Sequence, residues 1–334
     1  MSRTSAVAAL VVLLLTGCST LGSTLGMADG DRLEDLRFLV PNAPGGGYDT
    51  TARIAAQVLE EEHITDRIEV FNVEGASGVV GLARTVNERG NADLLMMMGL
   101  GVVGGVYTND STVDLEEVTP IARLLSEPEI VVVPERSRFR TLEDLLAAWK
   151  ANPGRISVGG GSSPGGPDFL APHLIAKTVG IDPRVVDYSQ YDGGGPLLAA
   201  LLGGEVDFAV SGVGEYADQV RTGPVRVLAV TSRERIPDFD APTLQEQGVD
   251  LEFVNWRGFV APPGLTAREE RTLTDLLVAM HDSRAWKDAA QANGWDDTFL
   301  TGKAFDRFLR EESDRVAGVM NELGVTPDAR ALRP

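Results

Sequence analysis

Two glycine-rich stretches, PNAPGGGYD at residues 41–49 and GGGSSPGGPD at residues 159–168, decide the fold. Each follows a short apolar run typical of a β-strand and precedes a helical pattern, at about 48–62 and about 168–179. Glycine lets the backbone come close to a ligand, and the first N–H groups of the following helix lack intrahelical partners. The two turns therefore predict two anion sites built from backbone amides, one in each half of the chain.

The alternation of strand and helix around these turns continues along the chain. Further strands are predicted at 37–41, 68–73, 94–98, 130–133, 156–158, 185–188, 208–210 and 225–230, and two long helices at 267–281 and 303–323. This order predicts an α/β fold with parallel sheets and right-handed crossovers. Because about 300 residues exceed one typical core, we expect two lobes, each a mainly parallel sheet flanked by helices.

The N-terminus predicts a lipoprotein signal. Arg3 precedes an apolar run at 6–15, which is too short to span a bilayer, and LTGC at 15–18 resembles a lipobox. Residues 1–17 would be the signal peptide, Cys18 the lipidated residue, and 18–32 a tether. An ordinary signal peptide with a chance cysteine is the alternative. The expected location is extracytoplasmic, with the lipid anchor as the only attachment to the cell membrane.

The charge balance narrows the range of partners. The chain has 30 Lys and Arg against 49 Asp and Glu, which gives a net charge of −19. Nucleic acid is therefore not an expected partner, since phosphate binding requires a basic surface. Cys18 is the single cysteine, so intramolecular disulfides are excluded. We expect a monomer.

The residue types in the two turns favour a carboxylate as the bound anion. Neither turn contains Lys or Arg, so a Walker-type phosphate loop is excluded. N–H donors alone can hold a carboxylate, at about 1.5–3 kcal/mol for each charge-assisted hydrogen bond. Ser77, Tyr191 and Gly193 lie in two further glycine segments and either line the same cleft or serve as helix caps and turns.

The chain offers one enzyme alternative and no metal site. GSSPG at 161–165 matches G-x-S-x-G with Ser163 as nucleophile, but the oxyanion hole needs the N–H of the next residue, and Pro164 has none. We therefore expect no enzyme and keep a serine hydrolase as a remote alternative. The three histidines are scattered, so neither a metal nor a cofactor is expected. Asp49 and Arg53 are interpreted as a pair at the helix start, and residues 96–98, MMM, as core.

At these turns the sequence resembles the Bug family, the extracytoplasmic solute receptors of tripartite tricarboxylate transporters. The similarity runs in order over about residues 36–325. It rests on residues 44–49 with Arg53, 75–78 with Gly81, 159–166, Tyr191 with 193–195, 203–207, 242–248 with Trp256 and Gly258, and 261–264.

The resemblance implies a two-lobed periplasmic-binding-protein fold, type II-like, with lobe 1 at 33–127 plus 229–334 and lobe 2 at 128–228. It implies capture of a tricarboxylate or dicarboxylate for a two-subunit membrane permease; a ligand-sensing input to a two-component system is the alternative. Tyr48, with the GGGSSPGG turn, favours tricarboxylates over amino acids. The expected ligand-binding residues are Ala43, Pro44, Gly45, Gly46, Gly47, Tyr48, Ser77, Gly161, Ser162, Ser163, Gly165, Gly166, Tyr191 and Gly193.

Overall fold

The computed structural model describes residues 35–109, 111–237 and 239–325. The predicted signal peptide, the lipidation site at Cys18 and the predicted tether lie outside these ranges. Within them, no helix is both long enough and apolar enough to cross a membrane.

Strands and helices alternate along most of the described chain. The strands are β1 (Arg37–Val40), β2 (Glu69–Asn72), β3 (Leu94–Gly99), β4 (Thr119–Pro134), β5 (Ser157–Gly160), β6 (Asp187–Gln190), β7 (Phe208–Gly212), β8 (Val225–Val230), β9 (Val254–Ala261) and β10 (Asp296–Thr301). The helices are α1 (Gly47–Glu61), α2 (Val79–Asn87), α3 (Leu100–Thr108), α4 (Leu142–Ala151), α5 (Pro167–Thr178), α6 (Gly194–Gly203), α7 (Val213–Thr222), α8 (Ala267–Asp282), α9 (Arg284–Ala292) and α10 (Gly302–Glu322).

The sheet is mixed, and its parallel parts carry the glycine turns. β1 lies between β2 and β3 in parallel, and β5 lies between β6 and β7 in parallel. The long strand β4 joins the two groups through antiparallel partners: β9 and β10 along its first part, β7 and β8 along its second. The expectation of mainly parallel sheets therefore describes the surroundings of the two turns, whereas the centre is antiparallel.

The central strands, together with helices α3 and α9, are elements that the sequence pattern did not reveal. β4 begins at Thr119, eleven residues before the predicted strand start at Ile130, and neither β9 nor β10 was expected. β9 carries Asn255 and Arg257 between apolar residues, which hides a buried strand from a search for apolar runs. The predicted lobe boundaries stay a prediction; the crossing at 229 falls inside β8, which pairs along its length with β4.

Buried side chains fill both faces of the sheet. Met96, Met97 and Met98 on β3 are fully buried, as expected for a strand covered on both faces. Trp256 packs in the core beside Phe305, and its indole N–H donates to a carboxylate oxygen of Glu312 at 3.1 Å.

Candidate functional site

A cavity of about 670 Å³ lies between the two glycine turns. All of the predicted ligand-binding residues line it except Gly165 and Tyr191. The lining residues that were not predicted include Asn42, Gly101, Glu129, Asp168, Asp192, Gly194, Gly195, Gly212, Glu215, Asn255 and Arg257. A second depression of similar volume, beside α4, contains none of the predicted residues. The cavity between the turns is therefore the candidate site.

An aspartate in the first turn of the following helix fixes each glycine turn. The Gly45 N–H donates to Oδ2 of Asp49 at 2.9 Å, and the Gly161 N–H donates to Oδ2 of Asp168 at 2.7 Å. Asp49 is also held by Arg53 at 2.9 Å, as the sequence indicated. Although burial opposes the effect, the hydrogen bond from Arg53 keeps the pKa of Asp49 below its ordinary value.

The start of α1 leaves three amides available. The Gly46 N–H makes a long contact, 3.5 Å, to the carbonyl oxygen of Ala43. The next N–H groups, of Gly47, Tyr48 and Asp49, begin α1 and have no hydrogen bond within the described residues. These groups are the first-turn donors that a helix cannot satisfy internally, and they carry its partial positive charge.

The second turn leaves fewer amides available than predicted. The Gly166 N–H donates to the carbonyl oxygen of Ser163 at 2.8 Å, and the Asp168 N–H donates to Oγ of Ser162 at 3.0 Å. Pro167, the first residue of α5, has no N–H. The amides of Ser162 and Ser163 remain without a partner in the described part of the chain.

Tyr48 connects the first turn to helix α3 through a hydrogen bond and close packing. Its hydroxyl oxygen accepts the Gly101 N–H at 3.0 Å, and the ring lies so close to Gly99 and Gly101 that a Cβ at either position would collide with it or crowd it. Burial raises the pKa of Tyr48 to about 12, so the phenol stays neutral at physiological pH.

The two predicted residues outside the lining have other contacts. Gly165, at φ +89°, presses its backbone against Gly104 of α3, where a methyl group would overlap the Gly165 carbonyl oxygen. The Tyr191 N–H donates to the carbonyl oxygen of Gly160 at 2.9 Å, and the ring packs near Gly159. Both residues shape the turn without facing the cavity.

Charged side chains from the central strands form the floor of the cavity. Glu127 and Glu129 are two residues apart on β4, and Asn255 and Arg257 are two residues apart on β9, which pairs with β4. Side chains two residues apart share a sheet face. Arg257 Nη2 lies 2.6 Å from Oε2 of Glu127, and both side chains are more than nine-tenths buried. The floor is thus a buried ion pair beside an additional glutamate.

Three acids that line the cavity resist ionisation. Burial, followed by repulsion from Asp168 and the neighbouring glutamates, raises the pKa of Glu129 well above its ordinary value. Burial also raises the pKa of Asp168 to about 6. Burial and the charge of Asp168 raise the pKa of Glu215 to about 7, although this side chain is more accessible than the other two and is better hydrated.

Ser163 has no catalytic partner among the lining residues. Its Oγ accepts a hydrogen bond from Nε2 of Gln190 at 3.1 Å, and no histidine belongs to the described lining of the cavity. His173 is buried in α5 with Nδ1 2.6 Å from the carbonyl oxygen of Phe169, and burial lowers its pKa to about 4. The arrangement suits binding through amides better than nucleophilic attack.

Replacing Gly104 with alanine should destabilise the protein. Gly104→Ala places a methyl group against the Gly165 backbone, which cannot rotate away as a flexible side chain would, and we expect a loss of about 1–3 kcal/mol in unfolding free energy. Gly318→Ala, in an exposed helical position with open space around it, should instead gain about 0.5–1 kcal/mol. Urea denaturation measures both; equal stability of Gly104→Ala and wild type would contradict the contact.

The stability of Glu129→Gln relative to wild type should rise with pH. The pKa of Glu129 is higher in the folded protein than in the unfolded chain. Its contribution to the stability of wild type is therefore fully present below the unfolded-state pKa and is lost as pH rises through the folded-state pKa. Between pH 5 and 8 the unfolding free energy of the variant should rise relative to that of wild type by on the order of 1 kcal/mol or more. Unfolding free energies across this range test it, with Glu311→Gln on the exposed face of α10 as control; a constant offset would refute it.

Comparison with known proteins finds relatives of this chain in sequence and in fold. A family model described as tripartite tricarboxylate transporter family receptor matches residues 51–325. The chain is 27% identical over 304 residues to Protein BugT of Bordetella pertussis, covering 89% of this chain and 91% of that protein.

Two solved structures, each 21% identical, extend the comparison. MatC from Rhodopseudomonas palustris with bound malate has a TM-score of 0.73 and matches over 86% of this chain and 98% of its own. An R. palustris protein with adipate has a TM-score of 0.78 and matches over 88% of this chain and 98% of its own. These similarities confirm the periplasmic-binding-protein-like α/β fold. Since the family model spans most of the sequence, the chain belongs to the TctC family, the tripartite tricarboxylate transporter receptors that include the Bug proteins.

Proposed function

We propose that this protein is an extracytoplasmic solute receptor that captures a small carboxylate in the cavity between its two glycine turns. The observation that carries the proposal is the set of unpaired backbone amides on the wall of one cavity, which includes those of Gly47, Tyr48, Ser162 and Ser163. Two helix N-termini supply or adjoin these donors, so an anion there gains hydrogen bonds and a favourable dipole interaction.

A buried cation supports the same end of the cavity. A Cβ at Gly47 would lie 2.5 Å from Nη2 of Arg257, so the backbone of the first turn rests against the guanidinium. Although burial opposes the effect, the neighbouring Glu127 carboxylate raises the pKa of Arg257 and keeps it charged. A carboxylate beside Gly47 would therefore meet amide donors and a guanidinium together, so we add one basic side chain to the amide donors that the sequence predicted.

The solved relatives favour carboxylates as a class. MatC was solved with malate and the second R. palustris protein with adipate, which are both dicarboxylates. The sequence favoured a dicarboxylate or tricarboxylate for this chain. The acids of the floor disfavour a second or third negative charge on the ligand. We therefore retain from that expectation only one carboxylate, which is held at the glycine turns.

The remainder of the proposal concerns delivery. TctC receptors bind small carboxylates and work with membrane permeases, so we infer that the loaded protein docks on a two-subunit permease as a monomer. Ligand binding should stabilise the conformation that the permease recognises. We infer binding without catalysis, because Pro164 supplies no N–H for an oxyanion hole and Ser163 lacks a neighbouring base among the lining residues.

Calorimetry on the purified protein should find a small carboxylate that binds with roughly micromolar affinity. Ser163→Ala keeps the backbone N–H and should retain affinity within about threefold. Ser163→Pro removes that N–H and should lose about tenfold or more, as expected for one charge-assisted hydrogen bond. Thermal melts confirm that both variants are folded. The proposal fails if no carboxylate binds, and the amide grip fails if both variants bind alike.

Cys18→Ser should release the protein from the membrane. The change removes the thiol that would carry the lipid, and the charge of −19 offers no electrostatic attraction to anionic lipids. Fractionation of cells that express each form measures the distribution. Ser19→Ala, next to the proposed lipidation site, serves as the control and should stay with the membrane. A Cys18→Ser protein that sediments with the membrane would contradict the lipoprotein assignment.

A further inference from the structure

The floor of the cavity holds more carboxyl groups than its one cation can balance. Glu129, Asp168 and Glu215 line the cavity, and Arg257 is its one lysine or arginine side chain among the described lining residues. Arg257 is already paired with Glu127, whose other carboxylate oxygen accepts the Gly214 N–H at 2.8 Å. Glu129, Asp168 and Glu215, together with the exposed Asp192 of the lining, are therefore left facing the same space without a cationic partner among the described residues.

Two side chains of the floor have unused acceptors. Glu129 is completely buried, and neither of its carboxylate oxygens has a hydrogen-bond partner within the described structure. Asn255, 7% exposed, has an unpartnered Oδ1. A buried acceptor without a partner is costly, and an unpaired buried carboxylate is more so. Because both residues line the cavity, its occupant is in a position to supply the missing donors.

We propose that the ligand carries an N–H-bearing cation, a primary or secondary ammonium or a guanidinium, in addition to its carboxylate. The ammonium N–H groups pair with Glu129 and with Oδ1 of Asn255, while Asp168 and Glu215 add negative charge around them. This inference rests on the proposed function, in which the carboxylate end is held at the glycine turns near Arg257. The cavity thereby recognises an aminocarboxylate through opposite charges at two places.

Other cations fit the observations less well. Within the described residues, no three acidic, histidine or cysteine side chains are arranged to hold a metal ion, so the acids do not converge as metal ligands do. A quaternary ammonium has no N–H and would leave the acceptors of Glu129 and Asn255 unsatisfied. A second carboxylate has no N–H to offer these acceptors and would place a further negative charge beside the acids of the floor.

The affinity should depend on pH in a defined direction. Four charged groups surround Glu129: Asp168 on α5, Glu215 on α7, Glu127 on its own strand and Arg257 on β9. Burial, together with the charges of Asp168, Glu127 and Glu215, raises the pKa of Glu129 and holds it toward its protonated form, whereas an ammonium ligand favours the ionised form. Binding should therefore release a proton, and affinity should rise from pH 6 to pH 8.

Calorimetry with matched ligands tests the inference. The panel contains α-amino acids and straight-chain ω-amino acids, together with monocarboxylates, dicarboxylates and N-trimethyl analogues of the same lengths. The tightest ligand should be an aminocarboxylate, at least tenfold tighter than its counterpart without nitrogen and its trimethyl counterpart. Glu129→Gln should weaken it at least tenfold and leave dicarboxylate binding unchanged or tighter, while Glu311→Gln should change neither.

The possible outcomes separate the two proposals. If a dicarboxylate or monocarboxylate binds most tightly and Glu129→Gln does not weaken the aminocarboxylates, the cation subsite is wrong and the carboxylate receptor stands. If simple alkylamines bind as tightly as aminocarboxylates, the carboxylate anchor is wrong and the cation subsite stands. If no ligand of the panel binds, both are wrong. Thermal melts of Glu129→Gln verify that the variant is folded.

Discussion

The hydrogen bond from a loop glycine to an aspartate in the next helix holds this site together. Gly45 with Asp49, and Gly161 with Asp168, form it at 2.9 and 2.7 Å. In each turn the carboxylate closes the loop onto the helix start, so the remaining amides keep fixed directions. Without that closure, a glycine-rich turn would sample many conformations, and ordering it on binding would cost free energy.

The two aspartates differ in their surroundings, and this difference makes the cavity asymmetric. Asp49 is neutralised by Arg53, whereas Asp168 lies among Glu129 and Glu215 without a cation of its own. The first turn therefore presents donors next to the guanidinium of Arg257, and the second presents donors close to surplus acids. Two turns that look alike as sequence thus create opposite electrostatic environments.

Close backbone packing completes the cavity. Each glycine of α3 packs closely against another segment of the chain. Gly101 contacts the Tyr48 hydroxyl, Gly104 contacts the Gly165 backbone, and Gly105 contacts the carbonyl oxygen of Ser77. Helix α3 would gain stability from alanine at such positions in isolation. Glycine is kept there because only a hydrogen atom fits, and the helix therefore serves as a surface on which the binding loops rest.

The sequence by itself determined the strand–turn–helix units and the glycine loops between them, because these depend on residues adjacent in the chain. It placed β1, α1, β5 and α5 within one or two residues, and the family resemblance selected the right fold. Only the tertiary structure decided the floor of the cavity, because Glu127 and Arg257 are 130 positions apart and meet through pairing of β4 with β9. The spacings Glu127-x-Glu129 and Asn255-x-Arg257 were visible, yet whether such residues face solvent or a buried cavity depends on which strands cover them.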